Sequence, residues 1–156
     1  MMLTTKGRYA VMAMVDLASQ NQDGPVVLSA IAERQEIALP YLEQIFAKLR
    51  RNGLVHSVRG PGGGYVLARG AENTWVSDVI LAVEESIKMT RCEKQSAAGC
   101  MKPKTRCLTH DLWEGLGNQI YNYLRSISLK DVIERQVLSH PAFTRRMDEP
   151  LFSVVN

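Results

Sequence analysis

Residues 54–67 have the sequence LVHSVRGPGGGYVL, and this stretch decides the fold. Two short apolar runs, 54–58 and 65–67, flank a tip that begins at Arg59 and is rich in glycine. Apolar runs bounded by turn residues predict two strands joined as a hairpin. The tip matches neither G-x-x-x-x-G-K-[ST] nor G-x-G-x-x-G, and no long helix follows it directly. These absences disfavour the rival interpretation, a nucleotide-binding loop.

Two predicted helices precede the hairpin. Ser29 is expected to cap a short helix over 30–35, and Pro40 stands in the first turn of the next helix. The second helix is predicted to end at Gly53. Its predicted buried stripe is Leu42, Ile45, Phe46 and Leu49. A short helix, a tight break and a second helix with a polar outer face predict a helix-turn-helix, although an ordinary helical hairpin fits this segment alone. The adjoining hairpin favours a winged helix.

The outer face of the second helix and the glycine-rich tip carry the residues predicted to meet double-stranded DNA. Tyr41, Glu43 and Gln44 are best placed for base edges, because glutamine can pair with adenine and glutamate can accept a hydrogen bond from cytosine. The residues predicted to contact the DNA backbone are Lys6, Arg8, Lys48, Arg51, Arg59, Gly60, Gly62 and Gly63. Lys6 and Arg8 equally fit solvated charges at the start of a first helix over 6–19.

The charge distribution agrees weakly with a polyanionic partner. Residues 1–70 contain eight Lys and Arg against five Asp and Glu, whereas residues 71–156 contain eleven of each. The net charge of +3 therefore arises in the half that holds the predicted helix-turn-helix.

Two further helices are predicted after the hairpin. Thr74 is expected to cap the first, with Val76, Val79, Ile80 and Val83 on one face. The second covers 108–126, and its apolar stripe is Leu108, Leu112, Leu116, Ile120, Tyr123 and Ile127. A small domain buries only part of so long a stripe, so the rest is a candidate homodimer seam, with packing on the first helix as the alternative. Ser128 then begins a short last helix with a capping box.

Three cysteines and one histidine form the chemical centre of the sequence: Cys92, Cys100, Cys107 and His110. Cys107 and His110 are three residues apart at a helix start, which places both on one side. Such a set suits a tetrahedral zinc ion or a 2Fe–2S cluster, and both remain open at this point. The lack of a C-x₂₋₄-C pair argues mildly against zinc. The lack of a C-x-x-C pair disfavours a thiol-redox or electron-transfer protein.

No leader or membrane segment is predicted. The first residues contain no apolar run followed by a small-residue cleavage site, and no stretch approaches the roughly 20 apolar residues of a membrane span. We therefore expect a cytoplasmic protein without a membrane partner. Thiols stay reduced there, which favours metal ligands over disulfides.

Several stretches resemble the IscR-type iron–sulfur regulators of bacteria. They are Leu3–Val11 (LTTKGRYAV), Tyr41–Gln44 (YLEQ), Asn52–Val55 (NGLV), Ser57–Tyr65 (SVRGPGGGY), Thr90–Cys92 (TRC) and Cys107–Trp113 (CLTHDLW). The resemblance covers about residues 2–136. This chain departs from that type in two places. The interval of seven residues between Cys92 and Cys100 is longer than expected, and the C-terminal tail is different.

The resemblance implies a homodimeric repressor or activator that binds promoter DNA and is not an enzyme. It implies a 2Fe–2S cluster held by Cys92, Cys100, Cys107 and His110, supplied by the cluster assembly machinery. Genes for cluster assembly would be controlled according to cluster occupancy. Sister regulators of this fold that sense iron or nitric oxide lack the C-L-T-H run, so that run favours the IscR type.

The predicted fold class is mainly α with a small β-hairpin wing, a winged helix-turn-helix with a long dimerisation helix. The predicted divisions are a DNA-binding domain over 1–86, a cluster-binding loop over 87–107, the dimerisation helix and last short helix over 108–136, and an irregular tail over 137–156.

Overall fold

A computed structural model describes residues 4–20, 24–83 and 105–141. Within these ranges the chain forms six α-helices and one antiparallel pair of strands. In chain order they are α1 (Thr5–Gln20), α2 (Leu28–Gln35), α3 (Leu39–Arg51), β1 (Val55–Val58), β2 (Gly64–Leu67), α4 (Val76–Ala82), α5 (His110–Ser126) and α6 (Leu129–Ile133). Single 3₁₀ turns lie at Ala71–Asn73 and Val137–Ser139. The mainly α class with a small hairpin is confirmed. No helix in the described ranges is long and apolar enough to cross a bilayer.

The main core forms where α1, α2, α3 and α4 meet. The predicted stripe of α3 is buried in full, and it packs with a row of residues from α1. Burying one leucine or phenylalanine side chain stabilises a fold by about 1.5–3 kcal/mol, so these stripes hold α3 in place. The buried residues contributed by the two helices are Ala10, Ala13, Met14, Leu17, Leu42, Ile45, Phe46 and Leu49. Gly53, with φ at 71°, ends α3 in the left-handed conformation, as predicted.

Two predicted helix caps are wrong. α2 begins at Leu28, so Ser29 lies inside the helix, and the N-cap position belongs to Val27. The Val27 carbonyl already accepts the N–H groups of Ala30 and Ile31, at 3.1 and 3.4 Å, which draws Ser29 into the first turn. Trp75 takes the N-cap position of α4 in place of Thr74.

The hairpin is antiparallel, with Val55 opposite Leu67 and Val58 opposite Gly64. Near the tip, β2 is bonded to the chain before α2, because Val26 and Tyr65 exchange two backbone hydrogen bonds of 2.8 and 2.9 Å. Val26 forms a single bridge here and no strand, since Leu28 already belongs to α2. A Cβ atom at Gly64 would collide with the Val26 carbonyl, so this close approach requires glycine.

A second, smaller apolar cluster joins α5 to α4. Val76, Ile80 and Ile127 are its buried members, and Val11 of α1 lies at its edge. The half-buried residues that α5 adds are Ile120, Tyr121, Tyr123 and Leu124. Beside this cluster, Val76 N–H donates to the Ile127 carbonyl at 2.9 Å. The C-terminal half of α5 is thus attached to α4, which splits the predicted stripe into a packed half and an outer half.

The capping box predicted at Ser128 is confirmed. The Asp131 N–H donates to Ser128 Oγ at 3.1 Å, and the Ser128 N–H donates to Asp131 Oδ2 at 2.8 Å. The Ser128 hydroxyl also donates to Asp131 Oδ2, at 2.6 Å. These bonds, first from the hydroxyl and then from the backbone N–H, lower the pKa of Asp131 below its ordinary value of about 3.8.

We expect the Asp131 carboxylate to make folding stability depend on pH. A group whose pKa falls on folding stabilises the fold above its unfolded pKa, and this stabilisation is lost as the pH falls through the folded pKa. The difference in free energy of unfolding between wild type and Asp131→Asn should therefore shrink from about pH 6 to about pH 3, as measured by urea unfolding at constant ionic strength. Glu72→Gln, which removes an exposed carboxylate, is the control. A difference that stays constant over this range would contradict the prediction.

Candidate nucleic-acid interface and metal ligands

The face of α3 opposite the buried stripe presents the polar residues predicted to contact DNA. Glu43 and Gln44 are exposed near the start of the helix, and Arg51 is exposed at its end. Lys48 is half-buried on the same helix. On α1, Arg8 is exposed and Lys6 is half-buried. Because the core fixes the opposite side of α3, these exposed groups are held on a rigid element.

Tyr41 differs from its exposed neighbours. It is half-buried and packs against the main core, and its ring meets the ring of Tyr9 edge-on with centroids 6.0 Å apart. Tyr41 therefore helps to fix the start of α3 against α1. Spacing along the helix predicts its position but not this contact.

A buried carboxylate sets the position of α2 in the helix-turn-helix. The Asp16 side chain on α1 is only 5% exposed. It accepts hydrogen bonds from Arg34 Nε at 3.0 Å, from Arg34 Nη2 at 2.5 Å and from Gln35 Nε2 at 2.7 Å. The hydrogen bonding to Asp16 raises the pKa of the Arg34 guanidinium above its ordinary value. The two-pronged geometry ties the last turn of α2 to α1, just before the short turn that leads into α3.

The tip of the hairpin is a tight turn that exposes its arginine. Arg59, Gly60 and Gly62 are exposed, and Gly63 is half-buried. The Gly63 N–H donates to the Gly60 carbonyl at 2.9 Å. A Cβ atom on Gly63 would collide with the Val58 carbonyl, whereas Gly60 and Gly62 need their freedom for φ values of 103° and 74°. The glycines thus close the tip and leave Arg59 in solvent.

The sequence pattern did not single out two residues at the end of α3. Arg50 is exposed and joins Lys48 and Arg51 in the last turn. A basic last turn also complements the helix dipole, so the pattern alone does not indicate DNA. Asn52, beside it, donates from Nδ2 to the carbonyls of Lys48 and Ala82, at 3.0 and 3.1 Å. The second of these bonds spans 30 residues of chain, and no local pattern indicates it.

Half of the predicted metal ligands lie at or just before the start of α5, which begins at His110 and not at residue 108 as predicted. His110 is the first residue of this helix and its one buried residue, at 4% exposure. The backbone N–H of His110 donates to the Cys107 carbonyl at 3.0 Å. Cys107 is half-buried, and its thiol is free. Cys92 and Cys100 lie outside the described residues. A thiolate and an imidazole at one helix start fit a 2Fe–2S cluster and also zinc.

A carboxylate beside the histidine was also missed in the sequence. Glu114, one turn further along α5, brings Oε2 within 3.6 Å of His110 Nε2. Carboxylates next to metal-binding imidazoles commonly fix the orientation of the ring. Asp111 also lies within reach, but its side chain is 88% exposed and faces Arg106 at 3.7 Å.

Comparison with known proteins places these features in a family. The family model named Rrf2, an iron-dependent transcriptional regulator, matches residues 3–135. The HTH-type transcriptional regulator IscR of Xenorhabdus nematophila is 55% identical over 136 residues, which cover 87% of this chain and 81% of that protein. A putative HTH-type regulator of Azotobacter vinelandii is 58% identical over 135 residues, covering 86% of this chain and 80% of that protein.

Two solved structures share the fold. IscR of T. potens superposes with a TM-score of 0.71 at 37% identity, covering 96% of this chain and 94% of that chain. CymR, described as the global cysteine regulator of B. subtilis, gives a TM-score of 0.72 at 30% identity, covering 86% of this chain and 98% of that chain.

Proposed function

This chain belongs to the Rrf2 family of iron-dependent transcriptional regulators, and we propose that it controls genes for iron–sulfur cluster assembly according to whether it holds a 2Fe–2S cluster. The observation that carries the proposal is the joining of a C-x-x-H turn, Cys107 to His110, to a winged helix-turn-helix. The protein works in the cytoplasm, where a bacterial regulator meets promoter DNA. Its relatives are regulators rather than enzymes.

In this proposal two α3 helices, one from each protomer, enter successive major grooves of promoter DNA about 34–36 Å apart. Glu43 and Gln44, together with the exposed part of Tyr41, contact base edges. The tip of the hairpin lies along flanking phosphates or in the minor groove. The cationic residues assigned to phosphates are Lys6, Arg8, Lys48, Arg50, Arg51 and Arg59.

The second copy of the chain docks on the outer half of α5. Three large apolar side chains are exposed there: Leu112 at 63%, Trp113 at 42% and Leu116 at 40%. Leu112 and Leu116 fall at i and i+4, one turn apart on one side of the helix, and Trp113 lies beside them about 60° around the helix from Leu116. An exposed row that includes tryptophan marks an association surface. Two copies can cover it reciprocally about a twofold axis, as the regulators of this fold require for two half-sites.

The ligands proposed for the cluster are Cys92, Cys100, Cys107 and His110. When bound, the cluster supplies a redox-active iron centre whose single imidazole ligand makes it less negative than an all-thiolate site. His110 holds its part of the set at the start of α5, whose C-terminal half packs against α4, and Cys107 lies three residues before it. Binding of all four ligands therefore ties the cysteine segment to α5 and changes the spacing or freedom of the two α3 helices. The cluster assembly machinery is the donor.

We expect phosphate and base contacts to separate in a salt titration. Arg59→Ala should weaken binding to all DNA and reduce the slope of log affinity against log salt by about 1 per protomer, because one phosphate contact is lost. Gln44→Ala should reduce the discrimination between bases at one position of the DNA site by about 1–3 kcal/mol and leave the slope unchanged. Fluorescence anisotropy over a range of salt concentrations checks both. These assignments would be refuted if Arg59→Ala left the salt slope unchanged and Gln44→Ala lowered the affinity equally for all DNA sequences.

Leu116→Glu is expected to shift the protein from dimer to monomer. The charge would be buried without a partner in the proposed seam, which should raise the dimer dissociation constant at least about tenfold. Asn118→Glu places the same charge on an exposed position about 200° further around α5 and is the matched control. Sedimentation equilibrium measures the association. A Leu116→Glu protein that dimerises as tightly as the control would show that the seam lies elsewhere.

Anaerobic purification with absorption spectroscopy should reveal about two irons and two sulfides per protomer in the wild type. Cys107→Ala should lose them, His110→Cys should keep them with a lower reduction potential, and His140→Ala should match the wild type. Zinc without sulfide would identify the same residues as a structural zinc site instead. A Cys92→Ala protein that binds every promoter as the loaded protein does would refute control by the cluster.

A further inference from the structure

The start of α3 exposes a short apolar surface. Ala38, Leu39 and Pro40 follow one another in the chain, and all three are exposed. Leu39 is 36% exposed, although leucine is among the residues most often buried. Leu39 is followed four residues later by Glu43, and Pro40 by Gln44, so each pair lies on neighbouring turns of the helix. The apolar surface therefore adjoins the residues assigned to base edges.

Pro40 is the member of this surface that lies furthest from the core. At 100° per residue, its position is about 170° around α3 from the middle of the buried stripe. Gln44 follows at about 40° around the helix and about 6 Å along its axis. Pro40 and Gln44 thus form one row on the outermost side of α3. A helix that presents Gln44 to base edges presents Pro40 to them as well.

The first turn of α3 offers few hydrogen-bond donors beside Pro40. Proline has no backbone N–H. The N–H groups of Tyr41 and Leu42 both donate to the Ala38 carbonyl, each at 3.0 Å. Ala38 occupies the N-cap position and has no side-chain oxygen. A base edge at Pro40 therefore meets an apolar ring, and the one apolar group that the major groove displays is the 5-methyl group of thymine.

We propose that Pro40 is a specificity-determining residue that packs on the 5-methyl group of a thymine in each half-site. This inference rests on the proposed placement of α3 in the major groove. Stacked base pairs are about 3.4 Å apart, so the axial distance between Pro40 and Gln44 puts this thymine within about two base pairs of the base that Gln44 contacts. Cytosine lacks the methyl group, so the contact selects thymine over cytosine at that position.

The test removes the methyl group from the DNA and the ring from the protein, separately and together. Full-length protein in a single cluster state binds a duplex that the wild type has selected from random-sequence DNA, and duplexes in which each thymine in turn is replaced by deoxyuridine. Fluorescence anisotropy gives the affinities. We expect one replacement in each half-site to weaken wild-type binding about fourfold, as the loss of one buried methyl group does.

The same replacement should leave the affinity of Pro40→Ala unchanged. Alanine suits a helix, so this variant keeps α3. A merely structural role of Pro40 would lower the affinity for the thymine and deoxyuridine duplexes by the same factor, and the variant would keep the fourfold ratio. Pro141→Ala changes an exposed proline outside α3 and is the matched control, which should show the wild-type ratio.

The outcomes separate Pro40 from the placement of α3. Gln44→Ala locates the base that Gln44 contacts. If no thymine within about two base pairs of that base shows the loss, or if Pro40→Ala retains it, the role of Pro40 is overturned and the placement of α3 stands. A wild type that selects no sequence, or a Gln44→Ala protein with unchanged discrimination between bases, overturns both.

Discussion

The burial of one stripe of α3 against α1 is the constraint on which the other features depend. Leu42, Ile45, Phe46 and Leu49 are almost completely removed from solvent. Because 3.6 residues make a turn, burial of this row leaves Glu43, Gln44 and Arg51 on the outer side. The hairpin uses the same core, since the Tyr65 ring packs edge-on against Phe46 with centroids 4.9 Å apart. The burial of this row in one core thus orients both α3 and the hairpin.

Features set by local chemistry could be predicted from the sequence. The stripe of α3, its end at Gly53, the hairpin and the capping box at Ser128 each follow from the residues within a few positions. The predicted caps at Ser29 and Thr74 failed for a different reason. A serine or threonine caps a helix only from the N-cap position, where its side-chain oxygen can accept N–H groups of the first turn. That position is held by Val27 in α2 and by Trp75 in α4.

Contacts between distant segments could not be predicted in this way. Asp16 meets Arg34 across 18 residues, and Asn52 meets Ala82 across 30. Nothing near Asp16 distinguishes it from an acid on a solvated face, because its partner is chosen by the packing of α2 on α1. The candidate metal ligands show the same division. The short-range pairing of Cys107 with His110 is made by the turn that leads into α5, whereas the approach of Glu114 depends on the side-chain orientation of a buried imidazole.

The unequal lengths of α4 and α5 have a mechanical consequence. α4 has 7 residues and α5 has 17, so α5 is longer by about 15 Å at 1.5 Å per residue. Its C-terminal end is fastened to the start of α4 through Val76 and Ile127, while His110 occupies the opposite end. α5 therefore projects beyond α4 as an arm that runs from Ile120, the first of its residues in the cluster with α4, to His110. A tilt of about 5° at Ile120 displaces His110 by about 1.3 Å over the roughly 15 Å of helix between them.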